Sequence, residues 1–207
     1  MIVLFDFDGV LVDTEGQYTI MWDAIGRDFL GIEDFGWMIK GQTLKQIFAR
    51  YIEDPQLQKK VTERLDEYER QMKYEFIPGV MEFLSELRNA GIRTAIVTSS
   101  NDKKMANVYR DLPEILEMVD EILTSEHFTR SKPDPECFLK GMSVLGGVPQ
   151  DTIIFEDSMH GLSAARSSGG KVVGLSTTFP AEQISPLCDI VIPDFRDLSV
   201  EALRRLL

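Results

Sequence analysis

The chain has little cysteine, little histidine and too few bases to balance its acids. Cys137 and Cys188 are the only cysteines in 207 residues. Two thiols are too few for a disulfide framework or a zinc site, and each reads as a small buried apolar side chain. Lys and Arg number 22 against 34 Asp and Glu, a net charge of −12. A surface this acidic repels phosphate backbones and anionic lipids, so neither nucleic acid nor a membrane is an expected partner. No stretch approaches the roughly 20 apolar residues that a membrane span requires. The first dozen residues are largely apolar, but Asp6 and Asp8 interrupt them and no base precedes them, which makes a poor leader. The expectation is a protein of a reducing cytoplasm, monomeric, with a dimer as the alternative.

With 43% of its residues hydrophobic, the chain is too apolar for disorder, and its length suits one domain carrying a smaller insert. Short apolar runs rich in β-branched residues at 2–7, 93–98, 120–124, 152–156, 171–175 and 189–192 read as buried parallel strands. Helical stripes lie between most of them: Val80, Phe83, Leu84 and Leu87 before Ala90-Gly91; Phe138, Met142 and Leu145 before Gly146-Gly147; Leu162 and Ala165 before Gly169-Gly170. The alternation predicts an α/β fold, a Rossmann-like parallel sheet with helices on both faces. From Asp13 to about Pro78 nothing reads as a strand. Leu57, Val61, Leu65, Tyr68 and Met72 make an apolar stripe there, with Asp66–Arg70 and Glu69–Lys73 expected on a solvated opposite face. The organisation predicted is therefore a core of residues 1–13 and 79–207 and a helical insert of residues 14–78.

Acids gather at strand ends. Alternation puts Asp6 and Asp8 on one side of the first strand, at the carboxyl edge where parallel sheets bind ligands. Two buried carboxylates are costly unless paired or bound to a cation, although an Asx-rich turn at Gly9 is the plainer alternative. Glu156-Asp157 end another apolar strand, and one of them could simply cap the following helix. Oxygen donors of this kind suit Mg²⁺. The run Thr98-Ser99-Ser100-Asn101 leads from a strand into a helix, a setting for an anion site or for an ordinary N-cap. Lys132, stiffened by Pro133 and Pro135, could neutralise a phosphate and a nucleophile, or be a surface lysine beside a turn.

Taken in order, Asp6-x-Asp8, Thr98, Lys132 and Glu156-Asp157 resemble the four motifs of the haloacid dehalogenase superfamily of aspartyl-phosphate hydrolases and mutases. The resemblance covers essentially the whole chain and is most specific at residues 6–15 and 155–166. The insert looks like the helical cap of the β-phosphoglucomutase-like and phosphoglycolate phosphatase-like subfamily. The resemblance implies that Asp6 is the nucleophile and that Asp8 is the general acid and then the base. It implies Mg²⁺ held by Asp6, the Asp8 backbone carbonyl and Asp157, with Glu156 as a ligand or just behind. It also implies that Thr98, Ser99, Ser100, Asn101 and Lys132 hold the phosphoryl oxygens. Asp8 marks the phosphoryl-transfer members and sets aside the halogenated-acid hydrolases, which use no Mg²⁺. Mutases of the family carry a cap histidine, where this chain has Tyr18, and a cap arginine, where it has Leu44 with Lys40 and Lys45 nearby. These departures favour a phosphatase acting on a small phosphorylated metabolite over a sugar-phosphate mutase. A catalytically idle binding module is the third reading, and four intact motifs stand against it. His160, at the start of the helix after the acidic pair, reads as a helix-end or surface residue, with an approach to the site as the alternative, and His127 carries no motif.

Overall fold

Ile2, Val3, Leu4 and Phe5 carry no polar side chain and are all buried, which only the interior of a sheet covered on both faces allows. In the computed structural model, which describes residues 1–207, this run is strand β1 (Ile2–Phe5). Five more strands follow: β2 (Arg93–Val97), β3 (Glu121–Leu123), β4 (Thr152–Glu156), β5 (Lys171–Leu175) and β6 (Ile190–Ile192). Their order is β3-β2-β1-β4-β5-β6 and every neighbouring pair is parallel. Ile2 lies opposite both Arg93 on β2 and Thr152 on β4. The order of strands reverses between β1 and β4, so the crevice at their carboxyl ends is the topological switch point, where open α/β sheets bind ligands.

Both faces of the sheet are covered. On one, Leu4, Val97, Ile154 and Val172 belong to a single buried cluster with Phe138, Met142 and Leu162 of the helices Glu136–Leu145 and Met159–Ser168. On the other, Phe5 and Phe155 stack at 4.8 Å between ring centroids, and Phe83 of the helix Val80–Asn89 and Phe195 close over them. The helix stops predicted at Gly146 and Gly169 are present, each glycine in the left-handed conformation that ends a helix.

Strands β4 and β5 keep the bounds of their apolar runs, and the other four are shorter than theirs. β1 ends at Phe5 rather than Phe7, because the chain turns there for a local reason. The Asp6 N–H still donates to the Phe155 carbonyl at 2.9 Å, but the Phe7 carbonyl accepts from the N–H groups of Val10, Leu11 and Val12. Gly9, at φ 73°, completes the turn. Asp6 and Asp8 therefore stand on a tight loop at the end of β1.

The chain divides into two compact units, one of Met1–Asp13 with Tyr74–Leu207 and the other of Thr14–Lys73. Residues 74–78 thus fall in the first unit. The second is helical: Glu15–Ile25 running into a π-helical turn Gly26–Leu30, then Phe35–Met38, Leu44–Tyr51 and Pro55–Gln71. Met21, Trp22, Ile25, Phe35, Ile47 and Val61 form its core. Gly36 permits the close approach of the first and third of these segments, since a Cβ there would lie 2.5 Å from the Thr19 carbonyl oxygen. The expected solvated face is corrected at Glu69, which is buried and accepts from the Tyr18 hydroxyl at 2.9 Å. Tyr68 similarly donates to the Gln17 carbonyl at 2.9 Å. Two tyrosines wedged between helices need polar partners for their hydroxyls, and Glu69 is drawn inward as one of them. Arg70 pairs with Glu67. No helix of the chain is long and apolar enough to cross a membrane.

Candidate active site

Parallel pairing sets Phe5 opposite Phe155, so the next residues, Asp6 and Glu156, emerge side by side at the switch point. Two buried carboxylates in such contact require a cation. Lys132 supplies it from the loop before the helix Glu136–Leu145. Its Nζ donates to Asp6 Oδ1 at 2.7 Å, to Glu156 Oε1 at 2.7 Å and to the Val97 carbonyl at 3.4 Å, which uses all three protons. At 5% exposure Lys132 is not a surface lysine. Burial works to lower its pKa, but the Asp6 and Glu156 carboxylates outweigh that and hold it above the ordinary lysine value. Asp6 is pushed up to about 7, chiefly by burial, with Glu156 and Asp8 adding to the rise and Lys132 opposing it.

Glu156 is fully committed. Its second oxygen accepts from the backbone N–H of Asp157 at 2.8 Å, from that of Ser158 at 2.7 Å and from Ser158 Oγ at 3.1 Å. Ser158, rather than either acid, caps the helix Met159–Ser168 by accepting from the Gly161 N–H at 3.1 Å. That helix passes directly over Glu156: a Cβ on Gly161 would stand 1.7 Å from Glu156 Oε1. Because these bonds leave the carboxylate nowhere to retreat, Gly161→Ala is expected to displace Glu156 and with it Lys132. Activity should fall at least roughly tenfold and stability by about 1–3 kcal/mol, the usual cost of overpacking. Activity and a urea melt close to wild type would contradict this account of Gly161.

Asp157 is held from the loop after β5, where the Thr178 hydroxyl donates to its Oδ2. Carboxylate oxygens of Asp6, Glu156 and Asp157 all lie within 4.8 Å of one another, and all three residues are buried. Three clustered hard oxygen donors fit a divalent cation such as Mg²⁺, with Asp6 and Asp157 the better placed because Glu156 is spent on Lys132 and the backbone.

Asp8 has its own support. Ser100 Oγ donates to Asp8 Oδ2 at 2.9 Å, and the same oxygen receives Lys104 Nζ. Thr98 is buried, with its N–H on the Leu123 carbonyl at 2.9 Å and its Oγ1 accepting from the Ser100 N–H at 3.0 Å. Ser99 is exposed. Asn101, expected among the phosphate-binding residues, caps the helix Asp102–Asp111, its Oδ1 accepting from the Lys104 N–H at 2.8 Å. Lys104 and Thr178 are the two site residues that sequence reasoning missed. The one signal for Lys104 was a lysine in the first turn of a helix, the end at which cations are disfavoured.

Residues 3–175 match the model of the haloacid dehalogenase-like hydrolase family. The chain belongs to that family. It is 26% identical to the validoxylamine A 7′-phosphate phosphatase of Streptomyces hygroscopicus subsp. limoneus, across 95% of each chain. It is 29% identical to the phosphorylated carbohydrates phosphatase of Thermotoga maritima, across 81% of each. Among solved structures, a haloacid dehalogenase hydrolase of family IA, variant 3, from Entamoeba histolytica has the same fold, with a TM-score of 0.87 at 24% identity over 99% of this chain and 98% of that one. The protein is thus a haloacid dehalogenase-type hydrolase with a cap domain, a candidate aspartate-based active site and an acidic cluster compatible with a divalent cation.

The remaining candidates of the hydrolase lie in its helical unit or outside the cluster. Of the candidate substrate contacts, Tyr18 is tied to Glu69 as a helix side chain, and Lys40 is not a solvated lysine but nearly buried in an ion pair with Glu15 at 2.9 Å. Lys45 is exposed on the helix Leu44–Tyr51. His127 is a local cap, its Nδ1 accepting from the Thr124 N–H at 3.0 Å. Cys137 is buried and its thiol pushed up to about 11 by burial, which leaves it inert near neutral pH. Cys188 is half-buried.

Proposed function

We propose that the protein is a Mg²⁺-dependent phosphatase of small phosphorylated metabolites that works through an aspartyl phosphate. The observation that carries this reading is Asp6 held between Lys132 and the acidic cluster at the switch point. Asp6, the Asp8 backbone carbonyl and Asp157 would hold the cation, whose charge, when bound, offsets that of the phosphoryl oxygens. An Asp6 oxygen attacks phosphorus in line and the bond from phosphorus to the ester oxygen breaks. Asp8 gives its proton to that oxygen, so the alcohol leaves neutral. The Asp8 carboxylate then takes a proton from water, which attacks the aspartyl phosphate and releases inorganic phosphate with Asp6 restored. The charge of Lys132, the Thr98 hydroxyl and the Ser99 backbone steady the equatorial oxygens. The names of the two relatives make phosphorylated carbohydrates the first substrate class to try.

The test is phosphate release from a panel of sugar phosphates and short phospho-acids, with Mg²⁺ and with EDTA. Release with Mg²⁺ that drops to background in EDTA is expected, and undiminished release in EDTA contradicts the reading. From β-glucose 1-phosphate and a bisphosphate activator, glucose 6-phosphate forming faster than inorganic phosphate would establish a mutase instead. No turnover of any ester, with ligands still bound, would establish a binding module.

A further inference from the structure

Lys104 is placed against two electrostatic preferences. It lies in the first turn of the helix Asp102–Asp111, where the backbone dipoles present positive charge, and its side chain is only 4% exposed. A buried ammonium at that end of a helix needs a carboxylate, and the one it meets is Asp8. Ser100 closes a triangle, donating to Asp8 Oδ2 at 2.9 Å and accepting from Lys104 Nζ at 2.9 Å. The triangle is itself anchored: Asn101 pins the Lys104 backbone, and the Phe7 ring lies 5.9 Å from the ammonium. Two buried lysines thus serve two aspartates, Lys132 at Asp6 and Lys104 at Asp8.

We infer that Lys104 is a positioning residue, which fixes the Asp8 carboxyl group at the place where it meets the departing ester oxygen. The inference rests on the phosphatase reading, in which Asp8 protonates that oxygen. Proton donation matters in proportion to the basicity of the leaving oxygen. An alkyl phosphate departs as a strongly basic alkoxide and depends on a well-placed acid. The 4-nitrophenyl ester departs as a stable phenolate and does not. Losing Lys104 should therefore slow the first and spare the second, a selectivity that a purely structural lysine would not produce.

The experiment compares kcat/KM for an alkyl phosphate and for 4-nitrophenyl phosphate, since this constant covers the steps up to the phosphoenzyme. For Lys104→Met the alkyl value is expected to fall roughly 10- to 100-fold and the aryl value by less than about threefold. Lys104→Arg should recover part of the alkyl rate, and Lys104→Met in an Asp8→Asn background should add no further loss. Should Lys104→Met fail to fold, Lys104→Arg and Ser100→Ala carry the same comparison, each with a smaller loss of the same selectivity. Equal losses on the two esters, or additive losses in the double variant, overturn the inference alone. A wild-type chain that cleaves neither ester overturns the phosphatase reading, and this inference with it.

Discussion

Asp6→Asn is expected to abolish phosphate release while leaving a folded chain that is at least as stable as wild type at neutral pH. Activity should fall at least roughly a thousandfold, because the amide is a poor nucleophile and forms no acyl phosphate, so no radiolabelled phosphoenzyme should be trapped. The stability side follows from burial. Asp6 titrates near 7 in the folded chain, against an ordinary value of 3.8. Between those two pH values the folded chain keeps a proton that the unfolded chain has lost, so this site makes stability fall as pH rises through the window. Asn carries no such charge, and Lys132 retains Glu156 as a partner at 2.7 Å. In EDTA, the wild-type melting temperature should therefore drop more between pH 5 and pH 7.5 than that of Asp6→Asn. Full activity of the variant against phosphate esters would sink the mechanism, and parallel pH profiles would sink the account of the buried carboxyl.

Lys132→Met is expected to do the reverse and damage the fold as severely as the activity. Without the ammonium, Asp6 and Glu156 face each other with no cation between them, and Glu156 is wholly buried. Breaking a buried ion pair from one side costs about 3–5 kcal/mol, a large share of the roughly 5–15 kcal/mol that holds a domain together. For a chain of this size that lowers the melting temperature by about 10 °C. Acid should relieve part of the damage by protonating Asp6. Thermal melts at pH 5 and pH 7.5 check both statements, and a variant as stable as wild type at pH 7.5 would show that the lysine is dispensable to the fold.

The features legible in the sequence were those that repeat or carry a burial cost. Unbroken apolar runs marked the strands, and the stripes ending at Gly146 and Gly169 marked two helices and their stops. Asp6, Glu156 and Lys132 were legible because acids at the ends of buried strands demand a cation. Features set by one residue meeting another far along the chain were not. Lys104 is 96 residues from Asp8, and only the path of the helix after β2 brings them together. Thr178 reaches Asp157 from beyond the next strand. Glu69 carries a charge at a helical position that periodicity assigns to solvent, and only the opposing Tyr18 hydroxyl explains why it turns inward. The early end of β1 is similar, since the three amides that converge on the Phe7 carbonyl leave no trace in the hydrophobic pattern.

The central place of β1 bears on how the protein assembles. The first strand made pairs with two of the later ones, Ile2 with Arg93 and with Thr152. A growing chain therefore holds its most apolar segment without its final neighbours until residue 156 has been synthesised. Closing such distant pairings slows folding and lengthens the time for which a sticky strand edge is open to other chains. Asp6, Lys132 and Glu156 come together in the same late event. Fragments that stop short of β4 should stay waterlogged at this edge, aggregate readily and need a chaperone's protection.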